Sequence, residues 1–485
     1  MNAQVRRIFA VVLLLFLILG AALTWIQFVK SPELRADGRN SRTILQSAER
    51  ERGAIIVAGE PVAYSERVGS GTGMFQRVYP YGELYAPVTG YFSGVNLHAT
   101  GMEAAANEIL EGETSSLLVQ RMKNLFAGRP RQGGGIELTL DPALQQAAQD
   151  ALSGRMGAVV VEDAKTGAVL ALYSSPSFDP NPLASLDTAV AEEADEELTD
   201  DPARPLNNRA IASDRYAPGS VFKIITAAAF LDSGMEVTTK LESPVTIQLP
   251  GTDTDLSNID MMECGDGDVT LKEAFARSCN TTFALAVQDI PEKKLGQTAS
   301  KFGFGDQVSI PLNVSPSYFP AELTPAQLAT SAIGQFEVQV TPMEMAMVVQ
   351  AIANDGTMMR PYLIDKVLDA DNNERSATKP SVLGKPVSPS VAGDLAEMML
   401  AVVEEPYGTG QSMAMGGVSV AAKTGTAEVG DGSFTNAWAV AFAPADDPEY
   451  VVAVIVEGDE SDPAPHGGDV AGPIVRRLLE VGLYG

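Results

Sequence analysis

An uncharged apolar segment near the start of the chain restricts where the rest of the protein can fold. The run IFAVVLLLFLILGAALTWIQFV occupies residues 8–29 and contains no charged side chain. A helix of about 20 such residues crosses the roughly 30 Å hydrocarbon core of a bilayer. The segment therefore predicts one transmembrane helix, with Trp25 near its outer interface. We expect an uncleaved anchor rather than a cleaved signal peptide, because signal peptides carry a shorter apolar run of roughly 7 to 15 residues.

Positive charge on one side of this segment predicts its orientation. Arg6 and Arg7 lie directly before it, in a stub of residues 1–7 that is too short to fold. By the positive-inside rule the stub is cytoplasmic and everything after Lys30 is exported. The predicted localisation is the cell membrane, with a single span and the folded part of the chain outside.

Charge also limits the partners of the exported part. The formal net charge of −28 argues against nucleic-acid binding, because the phosphate backbone would be repelled. Many acidic side chains lie in AEEADEELTDD at residues 191–201, a stretch without aromatic residues that we interpret as a solvated loop.

The exported part divides into two predicted domains. Residues 30–134 contain short strand-like and helix-like runs and end in GRPRQGGG, a Gly-, Pro- and Arg-rich boundary. Residues 135–485 carry strand-like runs near both ends, such as GAVVVED and EYVVAVIVEG, with mostly helical sequence between them. This pattern predicts an α+β domain whose sheet is closed by the two ends of the domain.

The segment YAPGSVFKIITAAAFLDSG holds the strongest candidate for a nucleophile. From Ser220 to Leu231 the only charged residue is Lys223, in an apolar run that predicts a helix buried on nearly all sides. A spacing of three residues places Ser220 and Lys223 on one helix face. Desolvation lowers a lysine pKa, so a neutral amine could accept the serine proton, and the helix N-terminus could offer the Ser220 N–H to an oxyanion.

Other ways of activating a serine find little support. A second Ser-x-x-Lys pattern, Ser376 to Lys379, lies in a polar stretch that we predict to be a loop. The only histidines, His98 and His466, are far from any nucleophile motif, which argues against a Ser-His-Asp triad. Two cysteines and two histidines scattered along the chain also give no metal-ligand pattern, and we expect no cofactor.

Two further motifs are ambiguous on their own. Residues 278–280, SCN, follow a predicted helix, and they fit either an ordinary helix end or a functional loop. The tripeptide KTG occurs twice. Residues 165–167 lie between two strand-like runs and predict a hairpin turn, whereas residues 423–425 lie at the end of a predicted strand that includes GVSVAA.

In this order, SVFK at 220–223, SCN at 278–280 and KTG at 423–425 resemble the three-motif signature of penicillin-binding transpeptidases and serine β-lactamases. The likeness to the class B family covers nearly the whole chain, including LTLDPALQQAA, NRAIASDRYAPGSVFK and KTGTAE. The N-terminal segments RNSRTILQSAERERGAI and YPYGELYAPVTGYFS are most similar to the actinobacterial penicillin-binding protein A group. The resemblance implies a β-lactamase-like transpeptidase domain, with an antiparallel sheet, helices and an all-helical subdomain, on a small dimerisation-like pedestal.

The resemblance also implies catalytic roles. Ser220 would attack a stem peptide that ends in D-alanyl-D-alanine and form an acyl-enzyme, which an amine on a neighbouring strand resolves. Lys223 would be the general base, alone or through Ser278. Ser278 would link Lys223 to Lys423 and pass a proton to the leaving amine.

Substrate-binding roles fall on the remaining motif residues. Asn280 would hydrogen-bond the substrate backbone, and Lys423 would add positive potential for the terminal carboxylate. Thr424 and Thr426 would bind that carboxylate, and Gly425 would let the substrate lie against the strand. The Thr426 N–H and that of the nucleophile would form the oxyanion hole.

The implied function is a peptidoglycan D,D-transpeptidase that β-lactams inhibit. A D,D-carboxypeptidase is the nearest alternative, and a β-lactam receptor is disfavoured because only about seven residues precede the anchor. Implied partners are stem peptides, β-lactams, a glycan polymerase of the SEDS class, and other division or elongation proteins.

The two cysteines leave a structural alternative open. Cys264 and Cys279 lie in the exported domain, where thiols tend to oxidise. They fit either a disulfide or two separate buried thiols.

Overall fold

The computed structural model describes residues 2–25, 50–69, 73–95, 98–113, 132–211, 215–265, 267–430 and 432–485. Helix α1 (Asn2–Thr24) contains most of the predicted membrane segment. From Gln4 to Thr24 it is long and apolar enough to cross a bilayer, and no part of this stretch is buried by the rest of the chain. Residues 26–29 of the predicted span lie outside the described residues.

The region that follows helix α1 is built from short elements. Its strands and helices are β1 (Ile55–Val57), β2 (Glu60–Val68), β3 (Met74–Val78), α2 (Ala86–Thr89), α3 (Gly101–Ala105) and α4 (Asn107–Leu110). The helix-like run at residues 102–112 forms two short helices, separated by Ala106.

The remaining elements begin at residue 136. The strands are β4 (Ile136–Leu138), β5 (Gly157–Asp163), β6 (Val169–Ser175), β7 (Lys240–Leu241), β8 (Thr246–Gln248), β9 (Asp255–Ser257), β10 (Val269–Thr270), β11 (Val308–Ser309), β12 (Asn313–Val314), β13 (Met358–Met359), β14 (Ile364–Leu368), β15 (Glu374–Ala377), β16 (Val382–Gly384), β17 (Ala421–Val429), β18 (Phe434–Ala443) and β19 (Tyr450–Glu457). The helices are α5 (Pro142–Ala151), α6 (Thr188–Asp200), α7 (Lys223–Asp232), α8 (Leu271–Ala276), α9 (Asn280–Ala286), α10 (Lys294–Lys301), α11 (Pro325–Ser331), α12 (Pro342–Ala353), α13 (Pro389–Glu404) and α14 (Gly472–Tyr484).

A five-stranded antiparallel sheet organises the large domain. Its strand order is β17-β18-β19-β5-β6, so strands from the two ends of the domain meet where β19 pairs with β5. Val454 of β19 lies opposite Val159 of β5. The prediction of an α+β domain with a sheet closed by its two ends is confirmed.

Different helices cover the two faces of this sheet. Val159 and Val161 belong to a core that includes residues of α5 and α14. Val160, which points to the opposite face, belongs to a second core with residues of α7 and α12. Burial on both faces explains why the strands are almost continuously apolar. The helices on the second face are accompanied by two-stranded ribbons, β7 with β10, β8 with β9, β11 with β12 and β13 with β16.

A second sheet spans the predicted domain boundary. Its order is β15-β14-β4-β1-β2-β3. Strand β4 pairs in parallel with β1 and antiparallel with β14. The boundary predicted after residue 134 therefore lies directly before a strand that joins the two predicted domains.

Two loop predictions are wrong, one of them only in part. Most of the acidic stretch 191–201 lies in α6, where the Asp187 side chain accepts a hydrogen bond from the Ala189 N–H as an N-cap and Ala191 is buried. Ala and Glu favour a helix, and this preference outweighs the acidic charge. Ser376 lies in β15, whose side chains are all exposed. A strand with no buried face shows no alternation of apolar residues, so periodicity could not reveal it.

Candidate active site

Ser220 lies in a tight turn that leads directly into a buried helix. Residues Gly219–Phe222 form one 3₁₀ turn, and α7 begins at Lys223. Ser220 is 4% exposed and Lys223 is fully buried. The Lys223 Nζ lies 3.1 Å from the Ser220 Oγ. The three-residue spacing thus brings the two groups into contact across one turn.

Two glycines allow this turn to lie against strand β17. Gly219 has a φ of +53°, and a Cβ atom there would lie 2.6 Å from the Thr426 carbonyl oxygen. A Cβ atom on Gly425 would lie 3.1 Å from the Val221 backbone nitrogen. The indole N–H of Trp438 donates to the Ala217 carbonyl at 3.1 Å and fixes the chain just before the turn. Close approach of turn and strand therefore depends on the absence of side chains at both glycines.

The second motif, residues 278–280, contacts Lys223 from a sharp junction between α8 and α9. Ser278 has a φ of +62°, an unusual conformation for a residue with a side chain. Its carbonyl oxygen accepts a hydrogen bond from Lys223 Nζ at 2.6 Å, and Asn280 Oδ1 accepts another at 2.7 Å. The Ser278 Oγ is 3.4 Å from the same nitrogen. The junction thus surrounds the amine with oxygen atoms.

The third motif approaches from β17. Lys423 Nζ donates to the Ser278 Oγ at 2.8 Å and to the Thr424 carbonyl at 2.9 Å. The hydroxyls of Thr424 and Thr409 lie 2.6 Å apart. The strand contains the motif near its middle, since β17 begins at Ala421 rather than in the GVSV segment. The prediction that the tripeptide ends a strand is therefore wrong in detail.

The electrostatics of the site follow from burial. Desolvation lowers the pKa of Lys223 well below its usual value, and the neighbouring Lys423 lowers it further. Burial lowers the pKa of Lys423 to about 7. Because each buried positive charge loses its hydration and repels the other, the pair does not carry two full charges at neutral pH.

The hydrogen bonds of Lys223 define what its neutral amine can do. A neutral amine has two N–H groups and one lone pair. Two of its neighbours, the Ser278 carbonyl and Asn280 Oδ1, can only accept hydrogen bonds, so they take both N–H groups. The lone pair then remains for the Ser220 hydroxyl. This arrangement can take the proton of Ser220 as the hydroxyl attacks a carbonyl carbon.

Ser220 lies at the junction of two halves of one cleft. The small half has a volume of about 270 Å³ and is lined by Ser278, Arg277, Cys264, Met262, Thr409, Thr424, Gly425, Gly467, Gly468 and Asp469. The large half has a volume of about 700 Å³ and is lined by Asn280, Asp255, Leu256, Ser257, Thr330, Ile333, Gln335, Phe336, Glu428 and Thr435. Residues common to both halves are Ser220, Asn258, Ile259, Thr426 and His466. All eight predicted catalytic and substrate-binding residues thus meet at this cleft or bond directly to a residue that lines it.

The other copies of the KTG and Ser-x-x-Lys patterns lie outside the cleft. Lys165 is in the turn between β5 and β6, half exposed, and forms an ion pair with Asp447 at 3.3 Å. Gly167 has a φ of +75°, as a tight turn requires. Ser376 and Lys379 are exposed. Neither pattern has a buried lysine beside a hydroxyl.

Comparison with known families agrees with this geometry. A family model described as the penicillin binding protein transpeptidase domain matches residues 157–480. The chain belongs to the penicillin-binding transpeptidase family. A second model, the penicillin binding protein A dimerisation domain, matches residues 52–136 of this penicillin-binding transpeptidase.

Relatives of this penicillin-binding transpeptidase match along its full length. The peptidoglycan D,D-transpeptidase PbpA of Mycolicibacterium smegmatis is 40% identical over 493 residues, which cover 100% of this chain and 99% of the relative. The PbpA of Mycobacterium tuberculosis is 40% identical over 495 residues and 100% of both chains. A ceftriaxone acyl-enzyme structure of penicillin-binding protein A from M. tuberculosis has a TM-score of 0.86 and 39% identity, covering 90% of this chain and 100% of the solved one.

A disulfide lies beside the second motif of this penicillin-binding transpeptidase. Cys264 and Cys279 are bonded, and both residues are buried. Cys279 is the N-cap position of α9, between Ser278 and Asn280. The bond therefore attaches the junction between α8 and α9 to the segment that precedes β10.

Several residues that line the cleft of the penicillin-binding transpeptidase escaped the sequence analysis. His466, interpreted there as a loop residue, lies directly before a π-helical turn (Gly467–Ala471) and lines both halves of the cleft. Asn258 and Thr409 also line it. The pair of glycines after His466 was the one available signal, since a Cβ atom on Gly467 would lie 2.3 Å from the Gly425 carbonyl oxygen. The other two lie in stretches without a distinctive pattern.

Proposed function

We propose that this chain is a peptidoglycan D,D-transpeptidase that cross-links stem peptides through an acyl-enzyme on Ser220. Full-length similarity to proteins named peptidoglycan D,D-transpeptidase supports the reaction class. Similarity to solved β-lactam acyl-enzymes supports inhibition by β-lactams.

The arrangement around Lys223 is the observation that carries the proposal. Two obligate acceptors, 2.6 and 2.7 Å from Nζ, orient its lone pair towards the hydroxyl 3.1 Å away. In the acylation step, Ser220 Oγ bonds to the carbonyl carbon of the penultimate D-alanine while its proton passes to Lys223. The oxyanion that forms would accept hydrogen bonds from the backbone N–H groups of Ser220 and Thr426.

The remaining motif residues would complete the step. The bond to the terminal D-alanine breaks, and its nitrogen takes a proton through the Ser278 hydroxyl, which lies 2.8 Å from Lys423 Nζ. Positive potential from Lys423 and the hydroxyls of Thr424 and Thr426 would hold the carboxylate of the leaving residue. Gly425 would leave room for the substrate, and Asn280 would hydrogen-bond its backbone.

An amine of a second stem peptide would then attack the acyl-enzyme and regenerate the Ser220 hydroxyl. A D,D-carboxypeptidase would use water in this step. The same first half-reaction serves both activities, so an assay with an added amine acceptor distinguishes them.

The proposed placement in the cell follows from the anchor. Residues 1–7 would be a cytoplasmic stub, 8–29 the transmembrane anchor, 30–134 a pedestal and 135–485 the transpeptidase domain. Arg6 and Arg7 support an N-terminus in the cytoplasm and a catalytic domain on the outer face. A membrane-embedded SEDS-class glycan polymerase, and other division or elongation proteins, are the partners that we propose.

Penicillin labelling of the full-length chain in detergent tests the proposal. We expect mass spectrometry to find one penicilloyl adduct, on Ser220, and none on the Ser220→Ala variant. A label on Ser278 or Ser376, or an undiminished label on Ser220→Ala, would refute the assignment. Cross-linked products from purified stem peptides with an added amine would then establish the transfer reaction.

A further inference from the structure

A histidine lies where the two halves of the cleft meet. His466 lines both halves, as Ser220 and Thr426 do, and its side chain is exposed. The other histidine of the chain, His98, lines a separate cavity beside α2 and α3. An imidazole in contact with solvent therefore lies in the part of the cleft where Ser220 would carry its acyl group.

Contacts on both sides fix the backbone at His466. The Thr435 hydroxyl donates to the Pro465 carbonyl at 3.2 Å. The His466 carbonyl accepts two N–H groups of the π-helical turn that follows, at 3.1 and 2.9 Å. The next residue, Gly467, lies so close to β17 that a Cβ atom on it would be 2.3 Å from the Gly425 carbonyl oxygen. The imidazole is thus carried by a segment that is held against the strand of the third motif.

The proposed transfer step leaves one proton unassigned. An acceptor amine of the lysine type has a pKa of about 10.4, so it enters the cleft as an ammonium group. It becomes an amide nitrogen with one hydrogen and therefore loses two protons. One of them restores the Ser220 hydroxyl through Lys223, which is neutral again once the leaving amine has been protonated. The other proton needs a separate acceptor.

The charged groups around the cleft leave the imidazole as the suitable acceptor. Four charged residues line the cleft within the described part of the chain: Asp469 of the same turn, Arg277 before the second motif, Asp255 of β9 and Glu428 of β17. Carboxylates as a class are weak bases, with a pKa of about 4, and a guanidinium cannot accept a proton. The buried Lys223 and Lys423 already serve the acylation step. Histidine is the side chain that ordinarily exchanges protons near neutral pH.

The surroundings also make an ammonium group easier to deprotonate. The attacking nitrogen takes the place that the leaving nitrogen vacates, on the side of the small half. Ser278, which lines that half, is bonded to Lys423, whose pKa burial lowers to about 7. An acceptor amine close to the acyl carbon loses hydration in the same way, and Arg277 repels its charge. The difference in basicity between ammonium and imidazole is therefore smaller in the cleft than in water.

We infer that His466 takes the first proton of the acceptor ammonium group and releases it to solvent. This inference rests on the proposed function and adds a catalytic residue to its second half-reaction. The neutral nitrogen then bonds to the acyl carbon, the bond between that carbon and Ser220 Oγ breaks, and the second proton passes through Lys223 to Oγ. The products are the amide, the free serine hydroxyl and, after loss of its proton to water, the neutral imidazole.

The partition of one acyl-enzyme between amines and water tests this role. The full-length chain in detergent is given the thioester N-benzoyl-D-alanyl-thioglycolate, and chromatography measures the ratio of transfer product to hydrolysis product. The nucleophiles are Nα-acetyl-lysine and D-alaninamide, whose amines have pKa values of about 10.4 and about 8, and hydroxylamine, which is largely neutral at pH 7. Because the ratio is set after acylation, any change in the acylation rate cancels.

His466→Gln keeps a polar side chain but cannot take a proton. We expect its transfer ratio for Nα-acetyl-lysine to fall by about a hundredfold, the lower end of what a general base contributes. The fall should be smaller for D-alaninamide and absent for hydroxylamine, which brings no extra proton. Normal transfer to hydroxylamine also shows that the variant is folded. His98→Gln, which changes the histidine of the separate cavity, should leave all three ratios unchanged.

The outcomes separate this inference from the proposed function. If the wild-type chain forms no transfer product with any nucleophile, the proposed transpeptidase function is overturned, and this step with it. If the wild-type chain transfers to Nα-acetyl-lysine and His466→Gln does so with the same ratio, this inference alone is overturned. An equal fall for all three nucleophiles would also overturn it, because His466 would then shape the acceptor site rather than take a proton.

Discussion

At the residue scale, the decisive feature is a hydroxyl between two buried amines. Ser278 Oγ lies 3.4 Å from Lys223 Nζ and 2.8 Å from Lys423 Nζ. Because burial lowers the pKa of both lysines, one amine can be neutral while the other keeps a proton. A proton can then pass from one amine to the other through a hydroxyl, without crossing bulk water.

Replacing Lys223 by arginine tests the need for a neutral amine. Lys223→Arg keeps the positive charge, but a guanidinium cannot act as a base in this pH range. We expect acylation by penicillin to slow by at least about a hundredfold, the contribution of a general base. Stopped-flow fluorescence measures the rate. Lys165→Ala, in the other copy of the tripeptide, is the control and should acylate at the normal rate; if it were the slower variant, the assignment would be wrong.

A second pair of buried ionisable residues, Glu162 and Glu344, is absent from the lining of the cleft. Burial raises the pKa of Glu344 to about 8, and it also raises that of Glu162, with a further contribution from the charge of Glu344. A carboxyl whose pKa is raised on folding stabilises the protein fully below its unfolded pKa of about 4.3 and loses this contribution as pH rises to the folded pKa.

We therefore expect wild-type stability to fall between about pH 4.5 and pH 8, with a slope of up to about 1.4 kcal/mol per pH unit for one group. Glu344→Gln should flatten this slope, since an amide does not titrate. Urea unfolding at several pH values measures it. Glu460→Gln, at an exposed position, should leave the slope unchanged; an identical slope in both variants would contradict the expectation.

At the element scale, the sequence predicts helices and strands that bury one face or both faces. It does not predict features that depend on contacts with distant parts of the chain. The turn at Ser220 and helix α7 were predictable, because Pro218 and Gly219 precede an apolar run interrupted only by Lys223. The strands at both ends of the domain were also predictable, because they are apolar along most of their length. Exposed α6 and β15 were missed, since no apolar periodicity marks them. The contribution of His466 to the cleft depends on a long-range contact between Gly467 and β17, which no local pattern encodes.

The bond between Cys264 and Cys279 should stabilise the junction of α8 and α9. Closing a loop of about 15 residues contributes roughly 3 kcal/mol in the chain-entropy model. We expect a reductant to lower the free energy of unfolding by about that amount. The double variant Cys264→Ser/Cys279→Ser should start at the lower value and not respond to reductant. Two alkylatable thiols in protein from an oxidising compartment would refute the bond.

At the scale of the whole molecule, the predicted pedestal and the transpeptidase domain are joined by strand pairing and by side-chain hydrogen bonds. Besides the pairing of β1 with β4, the Gln145 side chain donates to the Leu84 carbonyl at 2.9 Å. Asn208 donates to the Pro87 carbonyl at 2.6 Å. The two regions therefore support each other rather than being linked by a free tether.

Removing the pedestal tests this mutual support. A fragment of residues 135–485 would leave β4 paired with β14 alone, with its other edge open, and would expose the buried Gln145 side chain. We expect it to unfold at a lower temperature than a fragment of residues 30–485, and to aggregate more readily. Differential scanning calorimetry measures both. Equal midpoints, or two separate transitions in the longer fragment, would argue for independent domains.

The pairing of β19 with β5 has a consequence for biogenesis. Because synthesis proceeds from the N-terminus, β5 emerges long before β19, which lies within the last 36 residues. Until then β5 has one free edge, and Lys423 reaches Ser278 only when β17 has also emerged. The nascent domain therefore has an exposed apolar strand edge that can aggregate or be cut by a protease. A chain truncated before β19 would leave this central edge permanently open, so incomplete molecules would be prone to aggregation and proteolysis before Ser220 could be acylated by a stem peptide.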